Sequence, residues 1–163
     1  TKFVDLVNRI KPDQVTLVPD EENALTSNTG WDTLKHRDFL KEVINEFQGN
    51  GIRTSIFVDP NEKMIEGAKA TGADRIELYT EAYATNYPQN PEKAISAYVK
   101  VAKVANKLDI GINAGHDLNL ENIAFFAKKI PQLLEVSIGH ALICESLYFG
   151  FENVIPMYLQ RLS

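Results

Sequence analysis

The sequence predicts an α/β protein built on parallel strands. Five short β-branched runs recur along the chain, and each is followed by a stretch with apolar residues at helical spacing. Regular alternation of this kind implies parallel strands joined by right-handed crossovers. The runs are also nearly continuous in apolar character, as expected of strands covered on both faces.

The elements follow in order. Phe3, Leu6, Val7 and Ile10 repeat at helical spacing and Pro12 ends that helix. Gln14–Val18 is the first strand, followed by a polar loop over residues 19–31 that opens with Pro19, Asp20, Glu21 and Glu22; the acidic trio is a solvated loop edge. A loop of this length in a compact fold is usually a lid or disordered. A helix from Leu34 to Phe47 puts Phe39, Leu40, Val43, Ile44 and Phe47 on one face, and Gly49 and Gly51 stop it. Within it, His36 lies in a charged run and faces solvent. Ile52–Val58 is the second strand, and either Asp59 or Asn61 caps the helix of Met64 to Ala70. Arg75–Tyr79 is the third strand. A loop with Pro88 and Pro91 leads to a long helix whose stripe is Ala94, Ile95, Tyr98, Val101, Ala102 and Ala105. Asp109–Asn113 is the fourth strand, Leu120–Lys129 a helix closed by Pro131, and Leu134–Ile138 the fifth strand. A last helix runs from about Ala141 to Leu162, with a break at Gly150.

Composition bounds the function. With 163 residues and 44% apolar content, the chain fits a single domain, residues 1–163, with a real core. A net charge of −5, with no more than two adjacent Lys or Arg, argues against a nucleic-acid or anionic-membrane partner. No apolar run is long enough to span a bilayer. A single cysteine, Cys144, permits no internal disulfide and suits a reducing compartment; its apolar neighbours Ala141 to Ile143 predict a buried thiol.

Two parallel architectures accommodate this pattern, an open doubly wound sheet and a piece of a (β/α)8 barrel. The doubly wound nucleotide fold carries a glycine-rich turn after its first strand. Here that turn is acidic, and the glycine turns follow the last two strands, where barrels place their phosphate site. The barrel is favoured. A complete one takes roughly 250 residues, so the expectation is that this chain supplies about the last five strand–helix units and that its opening strands precede Thr1.

In a barrel the strand ends converge on one mouth, and the polar residues there are Asp59, Glu77, Thr80, Asn113, His116 and His140, with Thr26 in the loop. Glu77 sits inside Ile76-Glu77-Leu78-Tyr79, where a charge is costly unless it faces a polar lumen or is paired. The alternative is a solvated edge. The turn Asn113-Ala114-Gly115-His116-Asp117 presents an imidazole to the mouth, where its titration near neutrality suits acid–base work. A helix cap is the alternative for His116. Gly139 and His140 open a helix, whose amides can hold a phosphate without any side chain; a plain helix N-terminus is the alternative. No strand ends in lysine, which argues against Schiff-base chemistry, and no GxSxG or HExxH is present. Asp59, Glu77, His116 and His140 together also resemble a sugar-isomerase metal set.

An ordered set of segments then carries a resemblance. They are Leu17-Val18-Pro19-Asp20 with Leu25-Thr26-Ser27, Gly51 through Asp59, Ile76 through Ala84, Asn113 through Asn119, and Ser137 through Ala141. Together they span essentially the whole chain and resemble the pyridoxine 5′-phosphate synthase family of vitamin B6 biosynthesis. The resemblance implies a (β/α)8 TIM barrel transferase that assembles as a cytoplasmic homo-octamer. It also implies condensation of 3-amino-2-oxopropyl phosphate with 1-deoxy-D-xylulose 5-phosphate, with release of phosphate and water and no metal or organic cofactor. By the same resemblance His116 is the proton donor and Glu77 the carboxylate that stabilises a charged transition state. Thr26 contacts the deoxyxylulose phosphate, while Asp117, Gly139 and His140 bind the aminoketone phosphate. Asp117 stands where the family often has glycine, so its carboxylate is expected to turn away, capping the next helix. Tyr79 replaces a frequent histidine. The family's other catalytic groups, carried on its first strands, have no counterpart in these 163 residues. Two other readings are a metal-dependent sugar-phosphate isomerase or epimerase and a non-catalytic phosphate-binding half-barrel.

Overall fold

Five parallel strands lie side by side in chain order in a computed structural model that describes residues 2–19 and 26–163. They are β1 (Gln14–Leu17), β2 (Arg53–Val58), β3 (Arg75–Tyr79), β4 (Gly111–Gly115) and β5 (Leu133–Ser137), each paired only with its sequence neighbours. Helices alternate with them: α1 (Lys2–Ile10), α2 (Arg37–Gly49), α3 (Glu62–Thr71), α4 (Glu81–Asn86), α5 (Pro91–Lys107), α6 (Ile123–Lys129), α7 (His140–Phe149) and α8 (Phe151–Leu162). A doubly wound sheet reverses its strand order at a switch point; this one does not.

The two faces of the sheet differ chemically. Val15, Leu17, Ile56, Val58, Ile76, Leu78, Ile112 and Ala114 enter one apolar core with the inner faces of α2, α3, α5 and α6. The alternate residues, Gln14, Thr16, Arg53, Arg75, Glu77, Asn113, Glu135 and Ser137, bond to one another across strands. That second face is concave. Neighbouring strands are about 4.8 Å apart, so a flat sheet would hold β1 and β5 roughly 19 Å from each other. Yet Gln14 on β1 donates to Glu135 on β5 at 3.2 Å. Only a sheet curled toward a barrel brings those side chains together, and the polar face is its lumen. The sheet is not closed: β1 and β5 each lack an outer strand partner among the described residues.

Local rules account for most boundaries. Asn61, not Asp59, caps α3 by accepting from the Lys63 amide, and Asn90 caps α5, which starts at Pro91. β4 begins two residues later than its β-branched run, because Asp109 is left-handed (φ 51°) and keeps the chain in a turn. α4 is an addition; its six residues show no apolar repeat, and Tyr83 alone anchors it among Tyr98 and Phe126. Gly150, at φ 82°, divides the last helix into α7 and α8.

Two expectations fail on packing. Cys144 is exposed rather than buried. It lies on α7, which buries no residue of its own and leaves Leu147 82% and Tyr148 85% exposed. Apolar neighbours bury a thiol only if something packs on them, and on α7 little does. His36 is half-buried against Trp31, with ring centroids 5.3 Å apart, rather than solvent-facing. The expectations for Asp20, Glu21, Glu22 and Leu25 lie outside the described residues.

Candidate active site

The lumen has a charged floor and a mouth lined with rings. On the floor, Glu135 takes ion pairs from Arg53 at 2.9 Å and Arg75 at 2.7 Å and hydrogen bonds from Gln14 and Asn113. Asn113 therefore belongs to this floor and not to the mouth.

One layer up stands Glu77, 7% exposed. Its Oε2 accepts from the Thr16 hydroxyl at 3.1 Å and the Ser137 hydroxyl at 3.3 Å. No cation pairs with it among the described residues. Burial pushes its carboxyl above the usual range; the two hydroxyls and the charge of His116 oppose that only in part. Gly115 is what lets Glu77 lie there. A Cβ at Gly115 would stand 2.7 Å from Glu77 Oε1 and 2.7 Å from the Ser137 carbonyl.

At the mouth, the chain leaving β4 makes a sharp turn at His116, whose φ is 86°. Thr80, fully buried at the end of β3, staples both sides of that turn. Its hydroxyl donates to the Gly115 carbonyl at 2.6 Å and accepts from the Asp117 amide at 3.2 Å. The imidazole is thereby aimed across the mouth, edge-on to Tyr79 with centroids 5.6 Å apart and 6.2 Å from the His140 ring. Its Nε2 lies 2.8 Å from Thr26 Oγ1, and its Nδ1 lies 2.9 Å from Asp117 Oδ2. The Asp117 carboxylate thus turns toward His116. The expected helix-capping role is overturned, because Asn119 already accepts the Glu121 and Asn122 amides that precede α6.

The loop that carries Thr26 is clamped over the end of β2. Gly30 donates to the Asp59 carboxylate and Trp31 to the Phe57 carbonyl. A Cβ at Gly30 would collide with the Val58 and Asp59 backbone at 2.4–2.5 Å, so only glycine permits this approach. Across the mouth, Gly139 is the N-cap of α7, no side chain caps that terminus, and the space beside Gly139 is open. Among the described residues, the first-turn amides of α7 therefore have no side-chain acceptor at this terminus.

Thr26, Glu77, His116, Asp117, Gly139 and His140 thus gather at one end of the lumen. Asp59 serves the loop and Asn113 the floor. Among the described residues no three His, Cys, Asp or Glu side chains are placed to share a metal ion, so the isomerase-like set does not assemble. Sequence reasoning missed Thr16, Ser137 and the stapling role of Thr80. The available signal was a polar residue at alternate positions, Gln14 and Thr16 in β1 and Glu135 and Ser137 in β5.

The whole chain, residues 1–163, matches the family model described as Pyridoxal phosphate biosynthesis protein PdxJ. The chain belongs to this family. Proteins named pyridoxine 5′-phosphate synthase are among its relatives. That of Flavobacterium johnsoniae is 65% identical over 99% of this chain and 68% of its own length. That of Christiangramia forsetii is 62% identical over 99% and 68%, and that of Bacteroides fragilis 58% over 96% and 66%. The chain therefore spans about two-thirds of these PdxJ relatives. Among solved structures, the HMG-CoA lyase of Brucella melitensis superposes with a TM-score of 0.51 at 20% identity, over 75% of this chain and 47% of the lyase. The Amycolatopsis orientalis BexX/CysO complex gives 0.51 at 12% identity over 99% of this chain. At such identities both speak for the fold alone. No helix among the described residues is long and apolar enough to cross a membrane.

Proposed function

We propose that the protein acts as a pyridoxine 5′-phosphate synthase, condensing 3-amino-2-oxopropyl phosphate with 1-deoxy-D-xylulose 5-phosphate and releasing phosphate and water. The observation that carries the reading is the Thr26–His116–Asp117 chain at the mouth, set above an unpaired buried carboxylate and opposite an uncapped helix terminus.

Each part has a task. His116 donates a proton to a leaving oxygen from Nε2, the ring nitrogen that faces the mouth. Glu77 stabilises positive charge as it develops on the condensing amine. In a site that excludes water, a fixed carboxylate is worth far more there than in solvent. The Gly139 and His140 amides hold the phosphate of the aminoketone, and Thr26 contacts the deoxyxylulose phosphate. The Asp117 amide is occupied by Thr80, so any phosphate contact at that position is shared with this bond. The substrate brings its own amine, which agrees with the lack of a lysine at any strand end.

Residues 1–163 are, on this reading, one domain forming the C-terminal portion of a TIM barrel. Two open sheet edges and the greater length of the relatives support this. The exposed apolar side chains of α7 and α8, Leu147, Tyr148, Phe151 and Leu159 among them, support assembly into the homo-octamer expected of a cytoplasmic member of the family.

The test is H116A in the purified protein, assayed for pyridoxine 5′-phosphate and phosphate release from the two substrates. Loss of a general acid lowers the rate by about 10²- to 10⁴-fold. A rate within a few-fold of wild type sinks the donor assignment.

A further inference from the structure

We infer that Asp117 is a positioning residue: its carboxylate holds the Nδ1 proton of His116 and so makes Nε2 the nitrogen through which the transferred proton passes. The inference rests on the proposed role of His116 as donor. It goes beyond that role in giving Asp117 a task other than phosphate binding and in fixing which ring nitrogen works.

Three independent features point the same way. The first is the direct contact, Asp117 Oδ2 to His116 Nδ1 at 2.9 Å, with both side chains largely covered, 21% exposed for His116 and 28% for Asp117. A carboxylate accepts only, so the proton between them sits on Nδ1.

The second is the backbone. Neighbouring residues in ordinary strand or helix geometry point their side chains apart, on opposite faces of a strand or a third of a turn apart on a helix. Here His116 is left-handed at φ 86°, a conformation costly for a residue with a Cβ. The buried Thr80 hydroxyl imposes it by bonding the Gly115 carbonyl on one side and the Asp117 amide on the other. The strain folds two adjacent side chains onto each other.

The third is what lies at the opposite nitrogen. Among the described residues, the hydrogen-bond partner of Nε2 is the Thr26 hydroxyl, an exposed group on the loop over β2. With Nδ1–H committed to Asp117, Nε2 of the neutral ring accepts a hydrogen bond from the Thr26 hydroxyl; in the charged ring it carries a proton that it can pass to a substrate oxygen in Thr26's place. After transfer the ring is the neutral Nδ1–H tautomer and Asp117 remains ionised. No proton moves to the carboxylate, and charge balances at each stage. Glycine at this position cannot do this.

Solid-state 15N spectra of protein labelled at its histidine side chains read the tautomer directly and need no substrate. His36 and His140 are the other two histidines and serve as internal references. The expected result is Nδ1–H for neutral His116 in the wild type and a shift toward Nε2–H in D117G. The kcat of D117G falls about 10- to 100-fold, as small misplacements of a catalytic group do, while KM for either substrate stays within about twofold. D117A removes the same carboxylate, should glycine loosen the turn. A wild-type Nε2–H tautomer, a tautomer unmoved in both variants, an intact kcat, or a loss confined to KM would each overturn the assignment. Wild-type protein with Nδ1–H and no condensation activity overturns the functional reading instead and leaves the dyad standing.

Discussion

Replacing Glu77 by glutamine should make the protein more stable at neutral pH and inactive at the same time. The amide is nearly isosteric, and its oxygen can still accept from Thr16 and Ser137, as the carboxylate does at 3.1 and 3.3 Å. What the substitution removes is a charge held at 7% exposure with no cation paired to it among the described residues. Two hydroxyl donors to a carboxylate contribute about 1.5–3 kcal/mol each at best, and less at these lengths. Desolvating the carboxylate costs several kcal/mol. The balance is on the order of 1 kcal/mol against the ionised form.

The sign follows from linkage. Burial raises the folded carboxyl above its ordinary value, so the folded state binds the proton more tightly than the unfolded chain does. Whatever stability Glu77 contributes is therefore fully present below pH 4.5 and is lost as pH rises through the raised value. Urea or thermal melts of the wild type and E77Q, run in parallel from pH 4 to pH 8, read the difference. Any packing cost of the amide is common to all pH values and cancels. E77Q should gain on the wild type as pH rises, by about 2–4 °C in Tm for each kcal/mol, and its condensation rate should fall by about 10²- to 10³-fold. A gap that stays flat or narrows with rising pH would refute the claim that burial dominates at Glu77. Full activity in E77Q would refute its role in the transition state.

Other substitutions probe the rest of the frame. G115A drives a methyl to within 2.7 Å of Glu77 Oε1 and the Ser137 carbonyl; it should cost about 1–3 kcal/mol in a chemical melt and abolish turnover by displacing Glu77. E135A leaves Arg75, 15% exposed, without its 2.7 Å partner. Discounting the more exposed Arg53 pair to a few tenths, the loss should be about 2 kcal/mol, or 4–8 °C in Tm. Y158F removes the hydroxyl that donates to Glu145, whose other oxygen accepts the Leu120 amide and ties α7 to the β4–α6 loop. A loss of about 2 kcal/mol is expected with a rise in KM larger than any fall in kcat, measured by steady-state kinetics.

The architecture was legible because its signals are periodic. Five β-branched runs with helical stripes between them predicted the sheet, and β3 begins and ends where Arg75–Tyr79 does. What lacked a period was missed: α4 is six residues held by Tyr83, and β4 slid two residues because Asp109 adopts a left-handed turn. In the site, Glu77 and His116 were visible as residue types out of place among apolar neighbours. Thr80 was placed at the mouth without its stapling role, and Thr16 and Ser137 were not visible, since a hydroxyl in a strand is ordinary. Their meaning comes from curvature, which carries β1 and β5 to opposite sides of the same carboxylate. Asp117 was read the wrong way for a related reason: its direction depends on one dihedral angle, that of His116, imposed by a threonine 36 residues away in sequence.

The lumen finally separates two carboxylates that the sequence alone treats alike. Both Glu77 and Glu135 project into the same polar interior from short strands, and burial pushes both carboxyls up. At Glu135 that push is outweighed by hydrogen bonding to Arg75 and the charges of Arg75 and Arg53, so its carboxyl sits below the ordinary range. At Glu77 nothing stronger than two hydroxyls and a neighbouring imidazole opposes it, and the carboxyl stays above. Environments that drive similar groups apart assign them different work. Glu135, neutralised by its arginines, has no attraction left to offer a substrate and instead fastens all five strands into a curve. Glu77, one layer nearer the mouth, is kept short of a cation by the fold. A cation formed on a bound substrate would supply the missing partner, and the energy withheld at folding would return in the transition state.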